Sequence, residues 1–123
     1  MVDEHIYGFS ESSGWTCQHF KTGDIVWSTR RAKRSDIIGK GAILAVNDRL
    51  LLLEERTGLI AVIAASPDGW KEYDRMELPE RTEIISNNNM VWAHPVIANG
   101  HLYIRDQDLL FSFDLTMFQH HLK

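Results

Sequence analysis

A repeat constrains this chain more than any other feature. The segment Ala42-Ile43-Leu44-Ala45-Val46-Asn47-Asp48-Arg49-Leu50-Leu51-Leu52 returns 52 residues later as His94-Pro95-Val96-Ile97-Ala98-Asn99-Gly100-His101-Leu102-Tyr103-Ile104. Both copies read as apolar strand, tight turn, apolar strand. Asn-Gly between apolar runs is a strong hairpin signal, because the turn residues must take positive φ. A third copy starts partway in: Asp3-Glu4 takes the turn position and His5-Ile6-Tyr7 matches Arg49-Leu50-Leu51. A short polar loop follows in all three copies, at 10–14, 54–58 and 106–108, and then another apolar run. The first two copies add a fourth strand, near 25–28 and 73–78.

The unit is a four-stranded antiparallel meander of about 40–50 residues, the period of a β-propeller blade. The predicted fold is therefore all-β and propeller-type, a partial ring of about two and a half blades. One whole blade spans 41–78. A blade without its first strand spans 1–30, and one without its last spans 92–115. A helix over 49–65, rich in Leu and Ala, is the rival reading, but Arg56-Thr57-Gly58 interrupts it and each half has strand length.

The 123 residues suit a single domain. Their 44% hydrophobic and 24% charged content is that of an ordinary globular chain with a real core. The net charge of −4 argues against a nucleic-acid partner, whose phosphates are held mainly by clustered Lys and Arg. The single cysteine, Cys17, excludes an internal disulfide and a Cys-only zinc site. No apolar run reaches the ~18 residues of a membrane-spanning helix. The N-terminus, Met1-Val2-Asp3-Glu4-His5, is acidic and polar, unlike a secretory signal.

The stretch from Cys17 to Trp27, Cys-Gln-His-Phe-Lys-Thr-Gly-Asp-Ile-Val-Trp, resembles the tryptophan-docking motif of the quinoprotein-like (PQQ-repeat) β-propellers, Ala-x-Asp-x-x-Thr-Gly-x-x-x-Trp. Thr22, Gly23 and Trp27 match. Cys17 stands for the small Ala and His19 for the Asp. Tyr7-Gly8-Phe9, Gly39-Lys40-Gly41 and the stretch from Trp92 to Asp108 are similar to the C-terminal portion of bacterial PQQ-like propellers of the outer-membrane assembly-factor-like type. The resemblance implies a binding or scaffolding module without catalytic machinery, part of a longer propeller. The other reading is a remnant or subunit of a quinoprotein-type oxidoreductase. In those enzymes a closed ring surrounds PQQ, with calcium, a catalytic Asp and a vicinal Cys pair. This chain has no Cys pair and too few blades, so PQQ is not expected despite the family name. Relatives are usually exported, while this N-terminus carries no export signal, and the compartment stays open. An N-terminus inside a blade favours a truncated chain, and a signal peptide upstream would test that.

Residue types that could carry chemistry each have a plainer reading. Arg30, Arg31, Lys33 and Arg34 form the one basic cluster, a solvated loop or a contact for an acidic partner or phosphate. Asp106-Gln107-Asp108 resembles a piece of a calcium loop but lacks its glycine and later Glu, so a hairpin turn is expected. His94 is expected to be packed or hydrogen-bonded, and His101 exposed. His120-His121 read as a polar tail, and Asn87-Asn88-Asn89 as a polar loop. No catalytic or metal-ligating set emerges. Trp27 is read as the residue that holds blades together. Unpaired strands at both ends predict a protein partner or self-association through open blade edges.

Overall fold

The computed structural model describes residues 1–30, 38–84 and 90–114. Among them are ten strands and no helix: β1 (His5–Ser10), β2 (Gly14–His19), β3 (Ile25–Ser28), β4 (Gly41–Val46), β5 (Arg49–Glu54), β6 (Ile60–Ala64), β7 (Glu72–Met76), β8 (Val96–Ala98), β9 (His101–Asp106) and β10 (Leu109–Asp114). They make three antiparallel meanders, β1-β2-β3, β4-β5-β6-β7 and β8-β9-β10. The chain is thus a partial β-propeller. The stretch that reads as an alternative helix is β5 and β6, joined by a turn whose ends are closed by the Glu54 N–H on the Leu59 carbonyl, 2.8 Å.

The repeated turns start each copy at the same place. Asn47 has φ of 54°, Asn99 51° and Gly100 74°. Asp3 and Glu4, at 47° and 65°, adopt the same left-handed region. Val2 and His5 then exchange both backbone hydrogen bonds, each 2.9 Å. Val2 so holds the place that Val46 holds opposite Arg49 and Ala98 opposite His101.

Register carries the repeat further. The row Leu44–Leu51–Val62 in the second sheet corresponds to Val96–Tyr103–Ser112 in the third. The row Cys17–Trp27 in the first corresponds to Val62–Asp74 in the second. A break in register follows both rows, between Cys17 and Gln18 and between Val62 and Ile63.

The second sheet is buried on both faces. Leu50, Leu52, Ala61 and Ile63 pack with Trp15 and Ile38, alongside Tyr7, Phe9 and Trp27 of the first sheet. Leu51, Leu53, Ile60 and Val62 pack with Leu102, Ile104 and Phe113 of the third. Successive strand residues point to opposite faces, so a strand covered on both sides must be apolar at every position. That is why β5 is apolar throughout its covered stretch, Leu50 to Leu53, and β6 along its whole length. Each such Leu or Ile contributes roughly 1.5–3 kcal/mol by leaving water.

The link from the second sheet to the third is tied down by polar contacts. Asp106 is fully buried. Its Oδ2 accepts from Arg81 Nε at 2.7 Å and from the Thr82 N–H at 3.0 Å. Arg81 also donates to the Arg56 carbonyl, 2.9 Å, in the β5–β6 turn, where the Val91 N–H meets the Glu55 carbonyl at 2.6 Å. A buried carboxylate is tolerable only with such partners. Asp106 therefore fastens the third blade to the link that precedes it.

One glycine is required by space. A Cβ on Gly41 would lie 1.7 Å from the Leu53 carbonyl oxygen, whereas one on Gly8 meets nothing within 4 Å. Gly41→Ala is expected to force β4 away from β5 and to cost at least about 2 kcal/mol. Gly8→Ala is expected to be neutral or to stabilise by up to about 1 kcal/mol. Urea unfolding of the two variants checks both, and equal losses would contradict the β4–β5 packing.

Candidate functional site

The stretch that resembles a docking motif forms the contact between the first two blades. Cys17, at the centre of β2, is fully buried beside Tyr7 and opposite Trp27. Thr22 and Gly23 make the turn into β3. Gly23 has φ of 76°, and its N–H donates to the His19 carbonyl at 2.8 Å. The Thr22 hydroxyl accepts from the Asp24 N–H at 3.2 Å. His19 Nδ1 accepts from the Lys21 N–H at 3.2 Å, so the imidazole serves as the turn acceptor where the motif has a carboxylate. That role requires the tautomer with the proton on Nε2.

Trp27 reaches from this turn to the neighbouring blade. Its indole N–H donates to the Ser66 carbonyl at 2.7 Å. Its ring meets Trp70 edge-on, centroids 6.1 Å apart at 87°, and Tyr7 at 6.1 Å with the rings tilted by 50°. Trp70 is half-buried, like Trp27. Trp15 makes a second bridge: its indole N–H points between the carbonyls of Ile38 and Gly39, at 3.0 and 3.1 Å. Burial raises the Cys17 thiol above its ordinary range, opposed in part by the Tyr7 hydroxyl. Burial, and then the neighbouring Cys17, push the Tyr7 phenol well above its own.

The turn at Thr22-Gly23 has a twin that sequence reasoning missed. Between β5 and β6, the Gly58 N–H donates to the Glu54 carbonyl, 2.9 Å, and the Leu59 N–H to the Thr57 hydroxyl, 3.1 Å. Gly58 has φ of 77°. The available signal is Thr-Gly three residues after Glu54, the spacing of Thr-Gly after His19.

Arg30 lies exposed at the end of the first blade and lines a cleft of about 710 Å³ between the first two blades. Arg31, Lys33 and Arg34 lie outside the described residues, as do Asn87-Asn88-Asn89 and His120-His121. Asp106-Gln107-Asp108 is a hairpin turn with Gln107 at φ of 56°. Its carboxylates are engaged by Arg81 and Thr82, the Asp108 Oδ1 accepting from the Thr82 hydroxyl at 2.6 Å. Two histidines differ from expectation. His94 is exposed, because Pro95 rather than the imidazole turns into the core. His101 is half-buried, its Nδ1 held 3.0 Å from the Asn99 carbonyl. Among the described residues, no group of three or more His, Cys, Asp or Glu side chains converges as a metal site.

The chain is similar in structure to BamB from Moraxella catarrhalis, with a TM-score of 0.67 and 14% sequence identity. The match covers 95% of this chain and 36% of that one, so the chain spans about a third of the length of that structure. At this identity the likeness shows the fold. No protein-family model matches the sequence, and no curated protein matches it.

The docking contact generates two expectations. Trp27→Ala is expected to cost about 3 kcal/mol, and Trp70→Ala less, because Trp70 lacks the second ring contact and the bond to Ser66. The double variant isolates their mutual contact, expected at about 0.5–1.5 kcal/mol in urea melts. The second concerns pH. Tyr7 and Cys17 both keep their protons to higher pH folded than unfolded. Above the ordinary range of these groups, about 9–10, the folded chain binds more protons than the unfolded one, so stability falls as pH rises further. Thermal melts from pH 7 to 11 are expected to show a decline that Tyr7→Phe reduces.

Proposed function

We propose that this chain is a non-catalytic propeller module that binds or scaffolds protein partners, as part of a longer propeller. The observation that supports it is the outward face of the third blade. Leu110 and Val96 stand, by register, where Ile60 and Leu44 stand in the second blade. Ile60 is fully covered by the next blade, whereas Leu110 is 70% and Val96 54% exposed. The same face carries Arg105, Ser112 and Asp114 where the covered face has Leu53, Val62 and Ala64. A mixed apolar and polar face suits a protein partner better than a permanently dry core.

The outward face of the first blade has the same character. Ile6 and Val26, both exposed, share it with Gln18 and Ser28, while Thr16 between them is buried. Among the described residues no strand pairs the outer edges of β1 and β10, which add rows of backbone N–H and C=O groups that another strand can pair. The partner is accordingly a protein surface, either further blades or a second copy of this chain. No quinone cofactor belongs to this reading.

Sedimentation velocity over roughly 1–100 μM tests it, a range that spans the weak end of protein association. Concentration-dependent association is expected, weakened several-fold by Leu110→Asp. A monodisperse monomer throughout overturns the docking role of the end face. Dye reduction with PQQ and calcium above that of free PQQ overturns the non-catalytic reading.

A further inference from the structure

We infer that the cleft between the first two blades is a binding site for an acidic peptide segment. The cleft lies on the side of the molecule where the β1–β2 turn, Gly39-Lys40 and the β5–β6 turn converge. Its volume, about 710 Å³, is that of a ligand site. It is separate from the outward blade faces, and the inference stands without the partner reading above.

The charges within it are unevenly engaged. Three carboxylates line the cleft, and each is held by a donor of the protein itself. Glu11 accepts from Lys40 Nζ at 2.9 Å. Glu54 accepts from the Gly39 N–H and, at 2.7 Å, from the Thr57 hydroxyl. Glu55 accepts from the Trp92 indole N–H at 3.1 Å. Two guanidinium groups also line it, Arg30 at the end of the first blade and Arg56 in the β5–β6 turn of the second. Both residues are exposed, and neither guanidinium has an acceptor among the described residues. Among the described residues, the cleft thus presents guanidinium donors without an acceptor on both walls, while each of its carboxylates accepts a hydrogen bond from the protein. A guanidinium matches a carboxylate fork to fork, with two parallel N–H···O bonds.

Trp92 argues for a peptide over a small anion. It is 63% exposed, and its indole N–H donates to Glu55, a residue of the cleft lining. An exposed aromatic ring held in one orientation loses little freedom on binding and offers an apolar side chain a flat surface. Carboxylates spaced along a segment can reach both arginines, while an apolar neighbour covers Trp92. A single inorganic ion can do neither.

Fluorescence anisotropy with the full chain tests this, using a fluorescein-labelled 12-residue peptide of alternating Glu and Leu. Its comparison probes are the Gln-Leu version, a 12-nucleotide oligothymidylate, and inorganic phosphate as competitor. Saturable binding of the Glu-Leu peptide is expected, with a change in tryptophan fluorescence that Trp92→Phe removes. Arg30→Gln/Arg56→Gln is expected to lose about tenfold or more in affinity while its thermal melt is unchanged, since both side chains are exposed. Lys21→Gln, which removes a cation near Glu4 rather than in the cleft, is expected to bind as the wild type does. Several outcomes overturn the assignment: no binding, equal affinity for the Gln-Leu peptide, an unchanged double variant, or an equal loss in Lys21→Gln. Tighter binding of the oligonucleotide, or complete displacement by phosphate, assigns the arginines to phosphate instead and overturns it too.

Discussion

Burial of the second sheet on both faces is the constraint on which the rest of this structure depends. A sheet with one wet face can alternate apolar and polar residues. β5 and β6 cannot, because Leu50 and Leu52 face the first blade while Leu51 and Leu53 face the third. The apolar surface that they bury is the main favourable contribution here, and it is shared between two interfaces. Neither neighbouring blade has a second covered face among the described residues. Each therefore draws its core from the second, through Trp15 and Trp27 on one side and Leu102, Ile104 and Phe113 on the other.

Polar contacts decide how the blades are angled once burial has brought them together. Trp27 to Ser66 and Trp15 to Ile38 cross from the first blade to the second and to the segment that leads into it. Arg81 and Thr82 on Asp106 fasten the third. These bonds are directional, where hydrophobic contact is not, and they place blade against blade within narrow limits. The same placement opens a polar cleft between the first two blades, since the turns at its mouth carry charges that cannot pack together dry. Binding at such a cleft and docking at an end face are compatible, because they use different surfaces of one stack.

The end faces show how one repeat serves two environments. Position by position, Leu53, Val62 and Ala64 give way to Arg105, Ser112 and Asp114, while the backbone register is unchanged. Backbone pairing and turn geometry hold the blade together whatever covers it. The side chains then adjust to a face that meets water or a partner. Exposed Leu110 beside Arg105 is a compromise of this kind.

Much of this is legible in the residues alone, for a local reason. Strand content, the hairpin turns at Asn47, Asn99 and Asp3-Glu4, and the meander come from short apolar runs and from residues that accept positive φ. The Thr22-Gly23 turn is likewise readable from its residue types, and the place of Trp27 from the resemblance to the docking motif. The twin turn at Thr57-Gly58 carries the same signal, but without a tryptophan after it. Other features are decided by tertiary structure. Nothing adjacent in sequence marks Arg81 as the partner of Asp106, 25 residues on, or Glu55 as the anchor of Trp92, 37 residues on. Nor does sequence show that Arg30 and Arg56 line one cleft. Turns and strand pattern are set by neighbours along the chain. Which charges meet is set by how separate blades pack, through contacts between residues far apart in sequence.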